Sequence, residues 1–75
     1  MLKINSFVSK ENYIVEIEGC LVSESADKLN EILYIIEKLS INNIIFDLRK
    51  ILTVDEIGIK KLLYCCSKAK NFSQM

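Results

Sequence analysis

Apolar and polar residues alternate in two short segments near the N-terminus. Residues 2–8 alternate in part, and residues 12–19 alternate throughout most of their length after a polar turn at residues 9–12. Alternation with a period of two is typical of strands with one buried face, and a short polar turn between two such segments predicts a β-hairpin. The residues that share one face of the second strand are Tyr13, Val15 and Ile17.

The next segment, residues 23–39, changes to a spacing of three and four. This spacing predicts an amphipathic helix whose apolar stripe is broad enough to cover a sheet. Ser23 or Ser25 is a candidate N-cap, and Asp27 falls in the first turn, where the helix dipole favours an anion. The apolar positions of the stripe are Ala26, Leu29, Ile32, Leu33, Ile36 and Leu39.

A second strand signal follows this helix. Residues 44–48, IIFDL, are apolar at consecutive positions after the turn residues Asn42 and Asn43, which is typical of a strand covered on both faces. A strand, a helix of about 15 residues and another strand form a βαβ unit, so we expect residues 44–48 to pair in parallel with residues 13–18.

A second amphipathic helix is predicted over residues 56–70, with its lysines gathered late in the segment. The sequence therefore predicts an α/β fold in the order β-β-α-β-α, in which helices pack on a small mixed sheet. Residues 1–75 form a single domain in this prediction. The apolar stripe of the second helix is expected to contain Ile59, Leu62, Leu63, Cys66 and Ala69.

Composition excludes several classes of protein. Lysine plus arginine and aspartate plus glutamate are ten each, so no net positive charge favours binding to nucleic acid. The longest apolar run, residues 32–36, is far shorter than the roughly 20 residues that span a bilayer, and we expect no membrane insertion. These features and the absence of a signal-peptide core predict a cytoplasmic protein.

No residue pattern indicates catalysis, a cofactor or a metal. The chain has no histidine, no C-x-x-C spacing, no P-loop and no nucleophile elbow. Cys20, Cys65 and Cys66 are expected to be reduced and to act as small apolar residues. Asp55 and Glu56, the one pair of neighbouring carboxylates before a helix, are expected to cap it. We therefore expect a protein that is not an enzyme.

The segment DLRKILTVDEIGI, residues 47–59, resembles the STAS domain of bacterial anti-sigma-factor antagonists, in which typical members read close to DLSGVTFIDSSGL. The family's GELD turn is matched by Gly19 and Leu21. This resemblance implies a STAS fold and a protein partner, either an anti-sigma factor that is also a kinase or another STAS-containing subunit. The other matching positions are Asp47, Leu48, Ile51, Val54, Asp55 and Gly58.

This chain differs from the family at the position through which the family is regulated by phosphorylation. The resemblance implies a phosphorylated serine directly before Gly58, but Ile57 occupies this position and has no hydroxyl to accept a phosphoryl group. Glu56 replaces the preceding serine with a permanent negative charge, and Val22 replaces the acidic residue that ends the GELD turn. We therefore predict no phosphorylation site. Thr53 is disfavoured as a substitute because a cap would occupy its hydroxyl.

Two interpretations of the helix start remain open. Thr53 and Glu56 have the spacing of a capping box, and Asp55 is an alternative N-cap. Ile57 either packs under the first turn or begins an exposed ridge with Lys61, Tyr64 and Lys68, which would suit a partner's groove. The predicted partner-binding residues are Thr53, Asp55, Glu56, Ile57, Gly58, Lys61 and Tyr64.

Length is the largest departure from the family. STAS domains generally continue with another strand and at least one more helix, so we expect this chain to lack both and to leave one edge of the strand at residues 44–48 free. A free apolar edge invites homo-oligomerisation, unless the sequence is a trimmed domain. The predicted function is a non-catalytic regulatory interaction module resembling an anti-sigma-factor antagonist. The alternative is a structural, oligomerising STAS subunit of a signalling scaffold or a transporter-associated complex.

Overall fold

A computed structural model describes all residues of the chain, 1–75. It contains four strands, two α-helices and one 3-10 helix, Ala26–Leu29, which leads directly into the first α-helix. The mixed α/β fold confirms the predicted class and the predicted order of the first five elements. The strands are β1 (Leu2–Ser9), β2 (Asn12–Leu21), β3 (Asn43–Val54) and β4 (Asn71–Gln74), and the α-helices are α1 (Asn30–Lys38) and α2 (Glu56–Lys68).

The four strands form one sheet in the order β1-β2-β3-β4. β1 and β2 pair antiparallel, with Ser9 opposite Asn12, which confirms the hairpin. β2 and β3 pair in parallel, with Tyr13 opposite Ile44, which confirms the βαβ unit. The carboxyl ends of β2 and β3 therefore lie side by side, and the loops that follow them meet at one end of the sheet.

The prediction that the last strand is absent was wrong. β4 pairs in parallel with the first four residues of β3, and Met75 extends this pairing by donating its N–H to the carbonyl oxygen of Phe46 at 2.8 Å. The segment NFSQ has one apolar residue, so its strand depends on backbone pairing that periodicity does not reveal. β4 covers only half of this edge, and no strand pairs with the outer side of Arg49–Val54.

The core contains fourteen buried apolar residues, drawn mainly from β2, β3 and the first helical segment. Five of the six stripe positions predicted there are buried, but Leu39 is exposed because α1 ends at Lys38 and Leu39 is its C-cap. Ser25 does not cap the helical segment; its hydroxyl donates to the carbonyl oxygen of Cys20 at 2.6 Å. No helix is both long enough and apolar enough to cross a membrane.

The buried side of α2 differs from the predicted stripe. Leu62 and Ala69 pack against the core and Cys66 belongs to it, as predicted, whereas Ile59 and Leu63 are 44% and 58% exposed. The buried side is instead centred on residues 58, 62, 65 and 66. Sequence periodicity overestimated the width of this stripe because it does not reveal how the helix is rotated on the sheet.

Tyr13 provides a test of core packing. Its side chain is buried, and its hydroxyl has no hydrogen-bond partner. An unsatisfied buried hydroxyl lowers stability. We expect Tyr13→Phe to raise the free energy of unfolding by about 1 kcal/mol, measured by urea denaturation. Unchanged or lower stability would show that a water molecule satisfies this hydroxyl.

Candidate docking site at the start of helix α2

Asp55 joins the two loops at the carboxyl end of the sheet. One carboxylate oxygen accepts a hydrogen bond from the Gly58 N–H at 2.7 Å, which caps α2, and the other accepts from the Ser23 N–H at 2.8 Å. These two bonds hold the pKa of the Asp55 carboxyl below its usual value. Capping by Asp55 is thus confirmed. The capping box at Thr53 was wrong, because β3 continues to Val54 and Asp55 occupies the N-cap position.

Gly58 lets α2 approach the end of β2. A Cβ atom at this position would overlap the carbonyl oxygen of Leu21, which itself accepts a hydrogen bond from the Asp55 N–H at 3.3 Å. Only a residue without a side chain fits this contact. Gly58 was one of the predicted partner-binding residues, but it is buried and offers no surface to a partner. Its role is to position the helix.

Ile57 lies on the exposed side of the first turn of α2. It is 56% exposed, which rules out the interpretation that it packs under the helix. Tyr64 is 51% exposed two turns further on, and Lys61 between them is half-buried. The Lys68 ammonium lies 5.0 Å from the centroid of the Tyr64 ring, a cation–π distance. The structure thus places these residues along one exposed ridge of α2.

Glu56 and Thr53 flank this ridge near its start. Glu56 is exposed, and its carboxylate lies 3.1 Å from the Lys60 ammonium, an i,i+4 pair that contributes little because both groups meet water. Thr53 is exposed near the end of β3. The structure therefore gathers Asp55, Glu56 and Ile57 on one turn, with Thr53 on the strand that leads into it.

A polar contact in β3 was missed by sequence reasoning. The buried carboxylate of Asp47 accepts hydrogen bonds from the Arg49 backbone N–H at 3.1 Å and from its guanidinium at 2.8 and 3.0 Å. These contacts lower the pKa of Asp47 to about 2.

The register of β3 against β2 shifts nearby, and a second shift between Gly19 and Cys20 leaves Leu52 without a partner in β2.

The structure shows neither a metal-binding cluster nor an activated thiol. No cluster of three or more histidine, cysteine, aspartate or glutamate residues is suited to a metal ion. All three cysteines are free, and burial raises the pKa of the Cys65 thiol to about 11 and also raises that of Cys66. A buried thiol with a raised pKa is a poor nucleophile.

Solved structures resemble this arrangement closely. An anti-sigma factor antagonist from Mycobacterium paratuberculosis superposes with a TM-score of 0.86 at 16% identity over 99% of this chain. A STAS domain from Rhodobacter sphaeroides, described as an antisigma-factor antagonist, gives 0.70 at 15% identity over 97% of the chain. The chain has a STAS-like fold. The unphosphorylated anti-sigma factor antagonist SpoIIAA gives 0.70 at 16% identity over 91%.

These similarities establish the fold and not the activity. No protein-family model matches the sequence, and no curated protein matches it. The STAS-like chain spans 66% of the mycobacterial protein, 62% of SpoIIAA and 85% of the Rhodobacter domain. Within this fold, the segment at residues 47–59 runs from the middle of β3 into the first turn of α2, so Ile57 stands at the mouth of that helix.

Proposed function

We propose that this protein is a non-catalytic regulatory module that binds another protein through residues 53–68, which include the exposed ridge of α2. The observation that carries the proposal is the exposed Ile57, held on a turn whose backbone is fixed by Asp55 and Gly58. An exposed branched alkyl group in the first turn has no role in the core of this fold. Burial against a partner would stabilise a complex by removing its apolar surface from water.

The ridge has the composition of a binding surface. Ile57 and Tyr64 supply apolar and aromatic area, and aromatic residues are frequent among the residues that dominate binding energy. Asp55 and Gly58 fix the first turn before any partner arrives, so little ordering entropy is lost when a complex forms. Lys61 lies on the same ridge and supplies charge near the apolar area.

The resemblance to anti-sigma-factor antagonists suggests the class of partner. We propose a cytoplasmic protein of the anti-sigma factor and kinase type, or another STAS-containing subunit. Ile57 has no hydroxyl, so binding at this turn would not be switched by phosphorylation there. Glu56 adds a permanent charge beside it. The proposed module therefore binds constitutively, and its regulation depends on its abundance or on its partner.

Paired surface variants test the docking proposal. Affinity capture from the native cell with the wild-type chain, Ile57→Lys, Tyr64→Lys and the control Tyr34→Lys should recover the same partner from the wild type and the control. We expect Ile57→Lys and Tyr64→Lys each to weaken binding of the purified partner at least tenfold. Tyr34 is a matched control because it is an exposed tyrosine on α1. Equal binding by all four proteins would contradict the proposal.

Restoring the hydroxyl tests the relation to the phosphorylated family. We expect Ile57→Ser to become phosphorylated by an anti-sigma factor kinase that acts on a STAS protein, and the wild-type chain to remain unmodified. Mass spectrometry of the tryptic peptides identifies the modified residue. Phosphorylation of the wild-type chain at Thr53 would contradict the prediction that it has no phosphorylation site.

A second candidate function is a structural, oligomerising subunit of a signalling scaffold or a transporter-associated complex. The observation that favours it is the outer edge of β3, which has no strand beside Arg49–Val54. Unpaired strand edges readily pair with other chains. The two functions use different surfaces, so one protein can serve both.

A further inference from the structure

The exposed ridge of α2 carries positive charge and no negative charge. We name Ile57, Lys61, Tyr64 and Lys68 the docking ridge, and both of its ionised members are lysines. Residues 57–70 contain four lysines and no acidic residue, although the whole chain has no net charge. Neither lysine of the docking ridge forms an ion pair within the chain. The ion pairs that the structure contains are Arg49–Asp47, Lys50–Glu18 and Lys60–Glu56.

Lys61 is the one half-buried lysine of the chain, and every other lysine is exposed. Burial raises the pKa of the Cys65 thiol and the charge of Lys61 acts in the opposite direction, so the ammonium lies near this thiol. The Cys65 thiol in turn lies 3.9 Å from the carbonyl oxygen of Leu29. Lys61 is therefore placed beside the contact between α2 and the first helical segment, where it loses part of its hydration.

The ammonium of Lys61 has no anion or hydrogen-bond acceptor within the chain. The one lysine ammonium that donates a hydrogen bond is that of Lys28, to the carbonyl oxygen of Leu2. Removing a charge from water is unfavourable unless an opposite charge or an acceptor replaces the water. The helix dipole does not account for this lysine, because the dipole favours cations in the last turn and Lys61 lies in the middle of α2. A carboxylate from another molecule would compensate the lost hydration.

Lys68 adds a second cation beside the aromatic member of the docking ridge. Its ammonium lies 5.0 Å from the centroid of the Tyr64 ring, an attractive contact that restricts where the charge lies. Lys61 and Lys68 are about 10 Å apart along the axis of α2, and Tyr64 lies between them in the sequence. Two cations on either side of an exposed aromatic ring are complementary to two carboxylates on either side of an apolar pocket.

The acidic residues at the start of α2 leave these charges uncompensated. The Asp55 carboxylate is occupied by two backbone N–H groups, and Glu56 pairs with Lys60. Lys61 lies more than one turn beyond Asp55, and Lys68 lies further still. The middle and the end of the docking ridge therefore present unpaired positive charge.

We infer that the partner bound by the docking ridge presents an acidic groove, in which carboxylates pair with Lys61 and Lys68 and an apolar pocket accepts Tyr64. The inference rests on the function proposed above and names the chemistry of the partner's surface. Opposite charges on two surfaces speed association and exclude wrong partners. An anionic membrane offers the same charge, but it would repel Glu56, which is exposed beside Ile57 in the first turn. A protein groove can place its negative charge at the later turns alone.

Charge reversal on the docking ridge is the first test. The probe is the purified partner, defined as the protein that the wild-type chain captures and Ile57→Lys does not. Lys61→Glu and Lys68→Glu should each weaken its binding by about tenfold or more, since each sets like charges together, whereas Lys61→Arg should retain most of the affinity. The control Lys38→Glu lies on α1, where the ammonium is 6.0 Å from the Tyr34 ring centroid, and should bind like the wild type. Circular dichroism checks that each variant folds.

Carbodiimide cross-linking identifies the groups that meet. This reagent joins an amine to a carboxylate in contact with it, so mass spectrometry of the treated complex should find Lys61 or Lys68 joined to an aspartate or glutamate of the partner. Replacing that acidic residue by lysine should weaken binding to the wild-type chain. The same replacement should restore binding to the lysine-to-glutamate variant at the cross-linked position, which a purely structural role of that lysine would not produce.

Two results would overturn the inference. One is a partner that Ile57→Lys releases but that both charge reversals bind as well as the wild type does, and this result leaves the proposed function standing. The other is binding of the wild-type chain to vesicles of equal parts phosphatidylserine and phosphatidylcholine that both charge reversals abolish, which would assign the lysines to a membrane. Capture of no protein, or of one that binds Ile57→Lys equally well, would contradict the proposed function as well.

Discussion

Gly58→Ala is expected to lower the free energy of unfolding by about 3 kcal/mol, the largest effect of any single substitution proposed for this chain. Alanine has the better helix propensity by about 1 kcal/mol, so local preference alone would predict stabilisation. The tertiary contact outweighs this preference because the new Cβ would overlap the carbonyl oxygen of Leu21. Either the end of β2 or the first turn of α2 must then move.

Urea denaturation followed by circular dichroism measures this loss. A 75-residue domain has a stability of about 4–11 kcal/mol, so the variant should show a large fall in the midpoint concentration. Ser67→Ala is the matched control on the same helix, because Ser67 is exposed and its substitution should change stability by about 0.5 kcal/mol or less. A Gly58→Ala variant as stable as the wild type would show that α2 lies further from β2.

Asp55→Ala is expected to lower the melting temperature by roughly 8 °C. The substitution removes the cap of α2 and the hydrogen bond from the Ser23 N–H, so the two loops at the carboxyl end of the sheet lose the side-chain connection between them. Asp55→Asn should lower the melting temperature by less, because the amide oxygen of asparagine still accepts one of the two hydrogen bonds. Measured by differential scanning calorimetry, the melting temperature should fall in the order wild type, Asp55→Asn, Asp55→Ala.

The exposed Asp27 provides the control for these aspartate variants. Asp27→Ala removes a carboxylate from the first turn of the 3-10 helix without removing a hydrogen bond between the two loops. Its melting temperature should stay close to that of the wild type. If Asp27→Ala and Asp55→Ala had equal effects, the stabilisation would come from general charge and not from the bonds of Asp55.

Low pH should remove the contribution of Asp55 to the stability of the folded state. The pKa of Asp55 in the folded chain lies below 3.8, first because of the bond from Gly58 and then because of the bond from Ser23. A carboxyl group whose pKa is lowered by folding stabilises the folded state above its unfolded pKa, and this stabilisation is lost as the pH falls through the folded pKa. The stability difference between wild type and Asp55→Asn should therefore shrink below about pH 4.

Asp47 should add to the loss of stability in acid for the same reason. Its pKa falls from 3.8 to about 2 when Arg49 binds it, so its contribution is present above pH 3.8 and disappears towards pH 2. Asp55→Asn retains this second contribution. A difference between wild type and Asp55→Asn that stays constant from pH 6 to pH 2.5 would contradict the assignment to Asp55.

Local pattern predicted most of the fold. Alternation identified the hairpin, a run of apolar residues identified β3, and spacing of three and four identified both helices. The cap at Asp55 and the alkyl group at Ile57 were also readable, because capping and the loss of a hydroxyl depend on neighbouring residues alone. Whether Ile57 was exposed or packed under the helix required the structure.

The errors share one cause. Periodicity predicted that Ile59 and Leu63 lie in the core, but the contact of Gly58 with Leu21 fixes the rotation of α2 and leaves both exposed. β4 was missed because its stability comes from pairing with β3. The capping box at Thr53 was wrong because the length of β3 is set by its pairing with β2 up to Leu21.

The sequence by itself determined the order of the first five elements, the parallel pairing of β2 with β3, the cap of α2 and the absence of a hydroxyl at Ile57. Only the tertiary structure decided which flank of α2 is buried, how much of the β3 edge is covered and how the two loops are joined. The physical reason is range: helix and strand signals arise within a few residues, whereas the bond between Ser23 and Asp55 joins positions 32 residues apart.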